Sequence, residues 1–458
     1  MKTKVKQIQK NKNLIEGNFF KNIIVFSLPL ILSNVLQVLF NMADIAIVGQ
    51  FDPNGKYLVG AIGSTSMLIS LFTGFLIGIG GGINAVIAKD IGRRDAEDIQ
   101  KGVHSGFLIS VIAGFVIVAI GVPCARAVLM LLKTKSALLD DATMYLQIYL
   151  LGMPALAVYN HGNGVLAAQG ETRRPLIYLT VAGVLNVGLD ILFVVVFNMG
   201  AAGVALASII AQYSSAILVF VDLLRSKGAA KFSFKKLTFG GATGKSIAIL
   251  GISAGLQNSI FAIANMFLQS AVNKFDELTV SGNSAAANID SLCYNMLNAF
   301  YMACTTFMGQ SFGAGDRKKV KKSYVISLSY GVILATLFGV AMLVFGRYMI
   351  TIFSPDEAVI EAGMRHLRIM AFSLWLAPFM DCTIAASRGI GKSLVPTAIV
   401  IMGSCVFRIV WIYTVFGRFG TFESLYLLYP VSWGITALAE IIYFAIAYRK
   451  TMKACGLV

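Results

Sequence analysis

Charge is what this 458-residue chain has least of. Only 13% of it is Asp, Glu, Lys or Arg, against roughly 25% in soluble domains. With 57% hydrophobic residues and a mean hydropathy of +0.77, that scarcity excludes a water-soluble globular fold and leaves an all-α polytopic membrane protein. Acids are scarcer than bases, 22 against 38, for a net charge of +16. The bases are scattered between apolar runs, with no RNA-binding motif and no basic helix interleaved with stacking aromatics, so no nucleic-acid partner is expected. The six cysteines form no CxxC pair, and five fall in or beside apolar runs. They read as buried, inert thiols, and a metal site is not expected of them. Of the three histidines, His104, His161 and His366, only His161 lies well inside an apolar run, where packing or a helix–helix hydrogen bond suits it better than proton relay. No HExxH, catalytic triad or paired metal-ligand motif is present, so neither an enzyme nor a cofactor is expected. "GATGKS" (241–246) and "GIGKS" (389–393) lack the first glycine of GxxxxGK[ST] and follow no strand, which excludes an ATP site. The Lys-rich start and the length of the first apolar run argue against a cleavable signal peptide.

Long apolar runs are what the chain does have. Twelve candidate spans lie near 20–48, 58–87, 104–132, 142–168, 176–197, 201–224, 247–273, 280–309, 324–352, 363–387, 396–417 and 425–448. Between the sixth and seventh runs a basic, glycine-containing stretch reads as a linker. The expected organisation is an N-lobe at 1–225, a cytoplasmic linker at 226–245 and a C-lobe at 246–458. With the N-terminus inside, 28 of the 38 basic residues fall in inner segments. That bias puts both termini in the cytoplasm of a multi-pass cell-membrane protein.

The two halves repeat. "DIGRRDAEDIQK" (90–101) matches "SFGAGDRKKVKK" (311–322) at an offset of 221, pairing Gly92 with Gly313 and Asp95 with Asp316. At the same offset Gly170 meets Gly391 and Pro175 meets Pro396. The first spans align at 224, pairing Asn41 and Met42 with Asn265 and Met266. Six spans per half is an even number, so both halves enter the membrane the same way. This predicts parallel six-helix bundles related by an axis along the membrane normal, around a central cleft.

Ionisable residues inside spans are costly, and each is a functional hypothesis. They are Asp44, Asp190, Asp290, Asp381, Arg408 and Glu440. Asn186 and Asp190 are four apart and share a helix face. At ~1.5 Å per residue, Asp44, Asp190 and Ser208 all fall roughly 8–12 Å below the outer ends of their spans. Two carboxylates, an amide and a hydroxyl at one depth make an oxygen cage for a cation, with Na⁺ at Asp44, Asn186 and Asp190, or equally a proton site. The second half lacks this set: Asn186, Asp190 and Asp44 align with Phe407, Trp411 and Leu268. Asp290, Asp381 and Arg408 remain as C-lobe polar sites, with Arg408 either facing the cleft or paired with an acid such as Asp381 or Asp290. Pro29 interrupts the first span, as a static kink or a moving hinge. Gly74 and Gly78 in "GFLIGIGGG" have the spacing of close helix packing.

"NLIEGNFFKNIIVFSLPLILSNVLQVLFNMADIAIVGQF", "QSFGAGDRKKVKKSY", "AAQGETRRP" with "ASRGIGKSLVP", and "VLNVGLDILF" together resemble the multidrug and toxic compound extrusion (MATE) family over about residues 14 to 450. The resemblance implies a secondary antiporter that expels organic, often cationic, small molecules in exchange for H⁺ or Na⁺, working as a monomer in the lipid bilayer without ATP. It implies two six-helix lobes around a V-shaped cleft. Asp44 matches the family's first-helix acid, Asn186 and Asp190 its fifth-helix Asn-x-x-x-Asp, and Pro29 its first-helix proline; Ser208 stands where some members have Thr. One branch carries a seventh-helix Glu, but Ile260 is aligned there, and Asp381 sits at a different spacing from that branch's tenth-helix acid. A flippase for a lipid-linked precursor and a passive channel are the alternative readings.

Overall fold

The computed structural model describes residues 14–52 and 55–456, without the side chain of Lys56. Lys2, Lys4, Lys6, Lys10 and Lys12, which entered the charge argument, lie outside the described residues. No strand occurs among the described residues. In hydrocarbon every backbone N–H and C=O must be satisfied within the segment, and an apolar chain meets that requirement as helices.

All twelve expected spans are helical. We number them α1 (Phe19–Phe51), α2 (Gly55–Arg93), α3 (Ala96–Leu131), α4 (Ser136–Leu150 and Met153–Ala168, bent by 45°), α5 (Arg173–Val196) and α6 (Gly200–Arg225). The second set is α7 (Gly241–Val272), α8 (Glu277–Gly313), α9 (Arg317–Thr351), α10 (Glu357–Gly389), α11 (Leu394–Phe419) and α12 (Phe422–Ala454). Ten are long and apolar enough to cross a bilayer individually, and the bent α4 is an eleventh. α8 has the length but carries Asn283, Asn288, Asp290 and Asn295 along its course.

The repeat is legible in the backbone. Asp95 caps α3 by accepting from the amides of Glu97 and Asp98 at 3.2 and 3.1 Å, and its partner Asp316 caps α9 from Lys319 at 3.0 Å. A capping carboxylate satisfies amides that the first helical turn leaves free. Gly170 and Gly391 both adopt left-handed backbone, at φ 85° and 82°, ending α4 and α10 where a side chain would be strained. Asp276 caps α8, and its hydrogen bonds from the Thr279 hydroxyl and amide hold its carboxyl below the usual range.

Packing divides the chain differently from the linker. One compact unit holds Leu32–Ser259, the other Leu14–Ile31 and Ile260–Val458. By contacts, α1 gives its first part to the second unit, and α7 gives its first part to the first. The physical reasons are specific contacts. In the second unit Phe19 and Phe26 meet Phe307 edge-on at 6.0 and 5.6 Å, and the Lys322 ammonium sits 5.4 Å from the Phe19 ring. In the first unit Gly78 and Gly82 of α2 lie against Gly255 and Gly251 of α7, so closely that a Cβ would strike backbone. Asn258 donates to the Gly74 carbonyl at 2.9 Å and Ser259 to the Leu71 carbonyl at 3.1 Å. The small-residue spacing of α2 is thus a helix interface, extended by Gly82.

Residues 226–240 form a docked strap in the first unit, and α7 begins at Gly241, inside the stretch expected as linker. His104 of α3 accepts from the Ser233 amide at 3.0 Å and stacks on Phe232, centroids 5.0 Å apart. The Gly240 amide donates to Ser105 at 2.7 Å. Cys293, Cys304, Cys382 and Cys405 are buried as expected, whereas Cys124 and Cys455 are exposed. His161 is fully buried against Phe107 with neither ring nitrogen hydrogen-bonded, so it packs rather than bonds.

Candidate functional site

Asp44, Asn186, Asp190 and Ser208, from α1, α5 and α6, converge in the first unit. All are buried, and Asp190 is 0% exposed. Ser208 Oγ donates to Asp44 Oδ2 at 3.4 Å, and Asn186 Nδ2 donates to Asp190 Oδ2 at 3.2 Å. The two carboxyl groups lie within hydrogen-bonding reach of each other. Their remaining oxygens, Oδ1 of each, are buried without a protein partner. Among the described residues no ion pair engages either acid.

Each helix delivers its residue for a local reason. Asn186 and Asp190 share a face of α5, one turn apart. Directly after Asp190 the helix widens into a π-helical stretch, Ile191–Val196, the type of irregularity found frequently at functional sites. An apolar cluster of Ile47, Val48, Leu58, Ile62, Val194 and Val204, joined by Tyr145, packs in the same unit.

Two residues of α4 and one of α6 complete the site and escaped the sequence reading. Tyr145, buried, and Tyr149, half-buried, one turn apart with rings 6.0 Å apart, lie beside the acids. Gln212, one turn beyond Ser208, lies within hydrogen-bonding reach of Tyr149. Polar groups at i, i+4 inside an apolar run were the available signal.

The C-lobe candidates gather separately, in the second unit. Asp381 Oδ2 accepts from the Tyr294 hydroxyl at 2.8 Å. Arg408 makes no ion pair of 4.0 Å or less among the described residues. Its guanidinium instead lies over the Tyr429 ring at 4.5 Å and donates to Asn265 at 3.4 Å, because aromatic faces stabilise a cation without neutralising it. Glu440 is fully buried with neither carboxyl oxygen hydrogen-bonded.

Ten helices long and apolar enough to cross a bilayer, an eleventh in the bent α4, and buried acids that no ion pair engages among the described residues define a polytopic membrane protein. The MatE family pattern matches residues 29–192 and 253–414, one match per repeat, and the chain belongs to that family of multidrug efflux transporters. The chain is similar to a probable multidrug resistance protein YpnP of Bacillus subtilis, 28% identical over 78% of this chain and 79% of that one. It is also similar to a probable multidrug resistance protein NorM of Thermotoga maritima, 24% identical over 83% and 82%. The solved outward-facing structure of a multidrug resistance MATE family transporter of the MOP superfamily shares the fold at a TM-score of 0.88. It is 21% identical and aligns over 96% of this chain and 98% of that one.

Proposed function

We propose that the chain is a secondary antiporter of the cell membrane that exports organic, often cationic, compounds in exchange for H⁺ or Na⁺. Both termini face the cytoplasm, and the protein works as a monomer without ATP. The observation that carries this reading is the contact between Asp44 and Asp190, two buried carboxyl groups with no ion-pair partner among the described residues. Two like charges so placed repel, and a proton or a hard monovalent cation relieves that repulsion. Asp44, Asp190 and the Asn186 carbonyl supply oxygen ligands for Na⁺; the same two carboxyl groups can share a proton. Ser208 and Asn186 orient the carboxylates by donating to one oxygen of each.

The exchange follows from linkage. Cation binding draws α1, α5 and α6 together around a site whose negative charge is reduced by one, and α1 carries that change past Pro29 into the segment packed with the second unit. Substrate affinity falls in the cation-bound state, so inward flow of the cation drives release outward. Each inward charge contributes about 2.3 kcal/mol per 100 mV of membrane potential. The test is uptake of a cationic dye into inverted proteoliposomes under separately imposed H⁺ and Na⁺ gradients. Accumulation with one gradient and not the other identifies the ion; no accumulation with either overturns antiport and favours a passive channel.

A further inference from the structure

The strap between α6 and α7 carries charge of one sign. Residues 225–245 hold six bases, Arg225, Lys227, Lys231, Lys235, Lys236 and Lys245, and no acid. All six are exposed, and none makes an ion pair of 4.0 Å or less among the described residues. Lys236 donates to the side-chain oxygen of Gln100 at 2.9 Å, a neutral partner that leaves its charge uncompensated. The same stretch displays two large apolar side chains, Phe234 at 63% and Phe239 at 57% exposed.

These groups sit at the rim of a membrane span. Both α6 and α7 are long and apolar enough to cross a bilayer. After α6 ends at Arg225, Gly228 takes left-handed backbone at φ 104°, and the chain turns back on itself. The Phe232 amide then donates to the Leu223 carbonyl of α6 at 3.1 Å. Phe234 meets Phe220 of α6 edge-on, with centroids 5.8 Å apart. Phe220 lies about 7.5 Å of helical rise before the end of α6. The strap therefore folds back toward the hydrocarbon boundary and does not project away from it. Phe232 is buried against His104 and Phe107, at 5.0 and 4.8 Å, which fixes the backbone and leaves Phe234 and its flanking lysines on the outside. Aromatic rings settle at the headgroup level of a bilayer, and lysine stems lie along apolar surface while the ammonium reaches polar groups.

We propose that the strap is a binding site for anionic phospholipids, with Lys231, Lys235 and their basic neighbours on the headgroup and Phe234 at the acyl boundary. Uncompensated bases beside a span attract anionic headgroups, and a soluble acidic partner would have no use for a ring at membrane depth. With both termini in the cytoplasm, the lipid belongs to the cytoplasmic leaflet. Phosphatidylcholine carries the same phosphate together with its own cation, so preference for phosphatidylglycerol over phosphatidylcholine reports the net charge that the strap recognises. The site rests on α6 and α7 as membrane spans and not on antiport. Equilibrium lipid binding needs no coupling gradient, so failure of antiport and failure of this site are distinguishable.

The experiment is native mass spectrometry of the full-length protein in detergent, titrated with dioleoylphosphatidylglycerol or dioleoylphosphatidylcholine. The quantity read is the affinity for the first lipid bound. The wild type is expected to bind phosphatidylglycerol more tightly. Each lysine removed from the strap should lower the glycerol-to-choline affinity ratio by about fivefold, so Lys231→Gln with Lys235→Gln should lower it by more than tenfold. Phe234→Ser should weaken both lipids and leave the ratio in place. Lys133→Gln with Lys135→Gln removes two exposed charges from the loop between α3 and α4 and should change nothing. Equal wild-type affinity for the two lipids overturns the proposal, as does an unchanged ratio in the strap variant. An equal fall in the Lys133 and Lys135 variant also overturns it, because net charge alone would then explain the preference. If the Lys231 and Lys235 variant does not fold, Lys227→Gln with Lys245→Gln decides the question by the same criteria.

Discussion

Replacing Asp44 with Asn separates function from stability in a direction that a merely structural aspartate would not follow. Asp44 and Asp190 are buried carboxyl groups in hydrogen-bonding contact, and neither has an ion-pair partner among the described residues. Two unit charges about 4 Å apart interact by about 4 kcal/mol at an effective dielectric of about 20. A cation between the acids gains that attraction from each of them. Asp44→Asn is isosteric, keeps an oxygen for Ser208 to bond, and removes one of the two attractions. The upper bound on the loss of cation affinity is therefore about three orders of magnitude, at about 1.4 kcal/mol per tenfold. The same change removes the repulsion with Asp190 when both acids are ionised. The purified variant should therefore unfold at the wild-type temperature or above it at neutral pH. Dye export from proteoliposomes driven by the coupling gradient should meanwhile fall to background. The assay is paired: gradient-driven export on protein reconstituted at matched density, and thermal unfolding followed by intrinsic fluorescence. Full export by Asp44→Asn would refute the cation-site reasoning. So would a large drop in Tm with export lost in proportion, because that pattern belongs to a carboxylate whose role is to hold helices together.

Three other outcomes follow from particular contacts. Gly78→Leu should lower Tm and membrane yield by an overpacking cost of roughly 1–3 kcal/mol or more, because any Cβ at Gly78 strikes the Gly255 backbone; Gly63→Ala, which meets nothing within 4 Å, is the matched neutral control. Asp95→Ala should cost about 1 kcal/mol by uncapping α3, measured by chemical unfolding, and Asp95→Asn should recover most of it because the amide oxygen still accepts. Pro29→Ala restores a helical amide two residues before α1 changes unit. If the proline is a moving hinge, the variant slows gradient-driven export at unchanged Tm; equal export by both forms marks it as a static kink.

The candidate site was half legible in one dimension. Asp44, Asn186, Asp190 and Ser208 could be placed at a common depth because helical rise is fixed, and the structure brings those four together. Tyr145, Tyr149 and Gln212 were not found, because nothing in a single apolar run says which helix faces which. Arg408 shows the same gap from the other side. Its burial followed from its span, but its partner turned out to be an aromatic face and not an acid, and that depends on how α11 meets α12.

The amino-acid sequence by itself determined the class of fold, the number of helices and the existence of two repeats. Hydrocarbon admits only internally bonded helices for chains of this composition, and matched Asp caps and left-handed glycines recur at a constant offset. Tertiary structure alone decided where the compact units divide. The linker ends one repeat in sequence, yet the first parts of α1 and α7 cross into the other unit. They do so because phenylalanine edges at Phe307 and a glycine-lined groove on α2 bind them there, and such surface complementarity between distant segments leaves no trace in local periodicity.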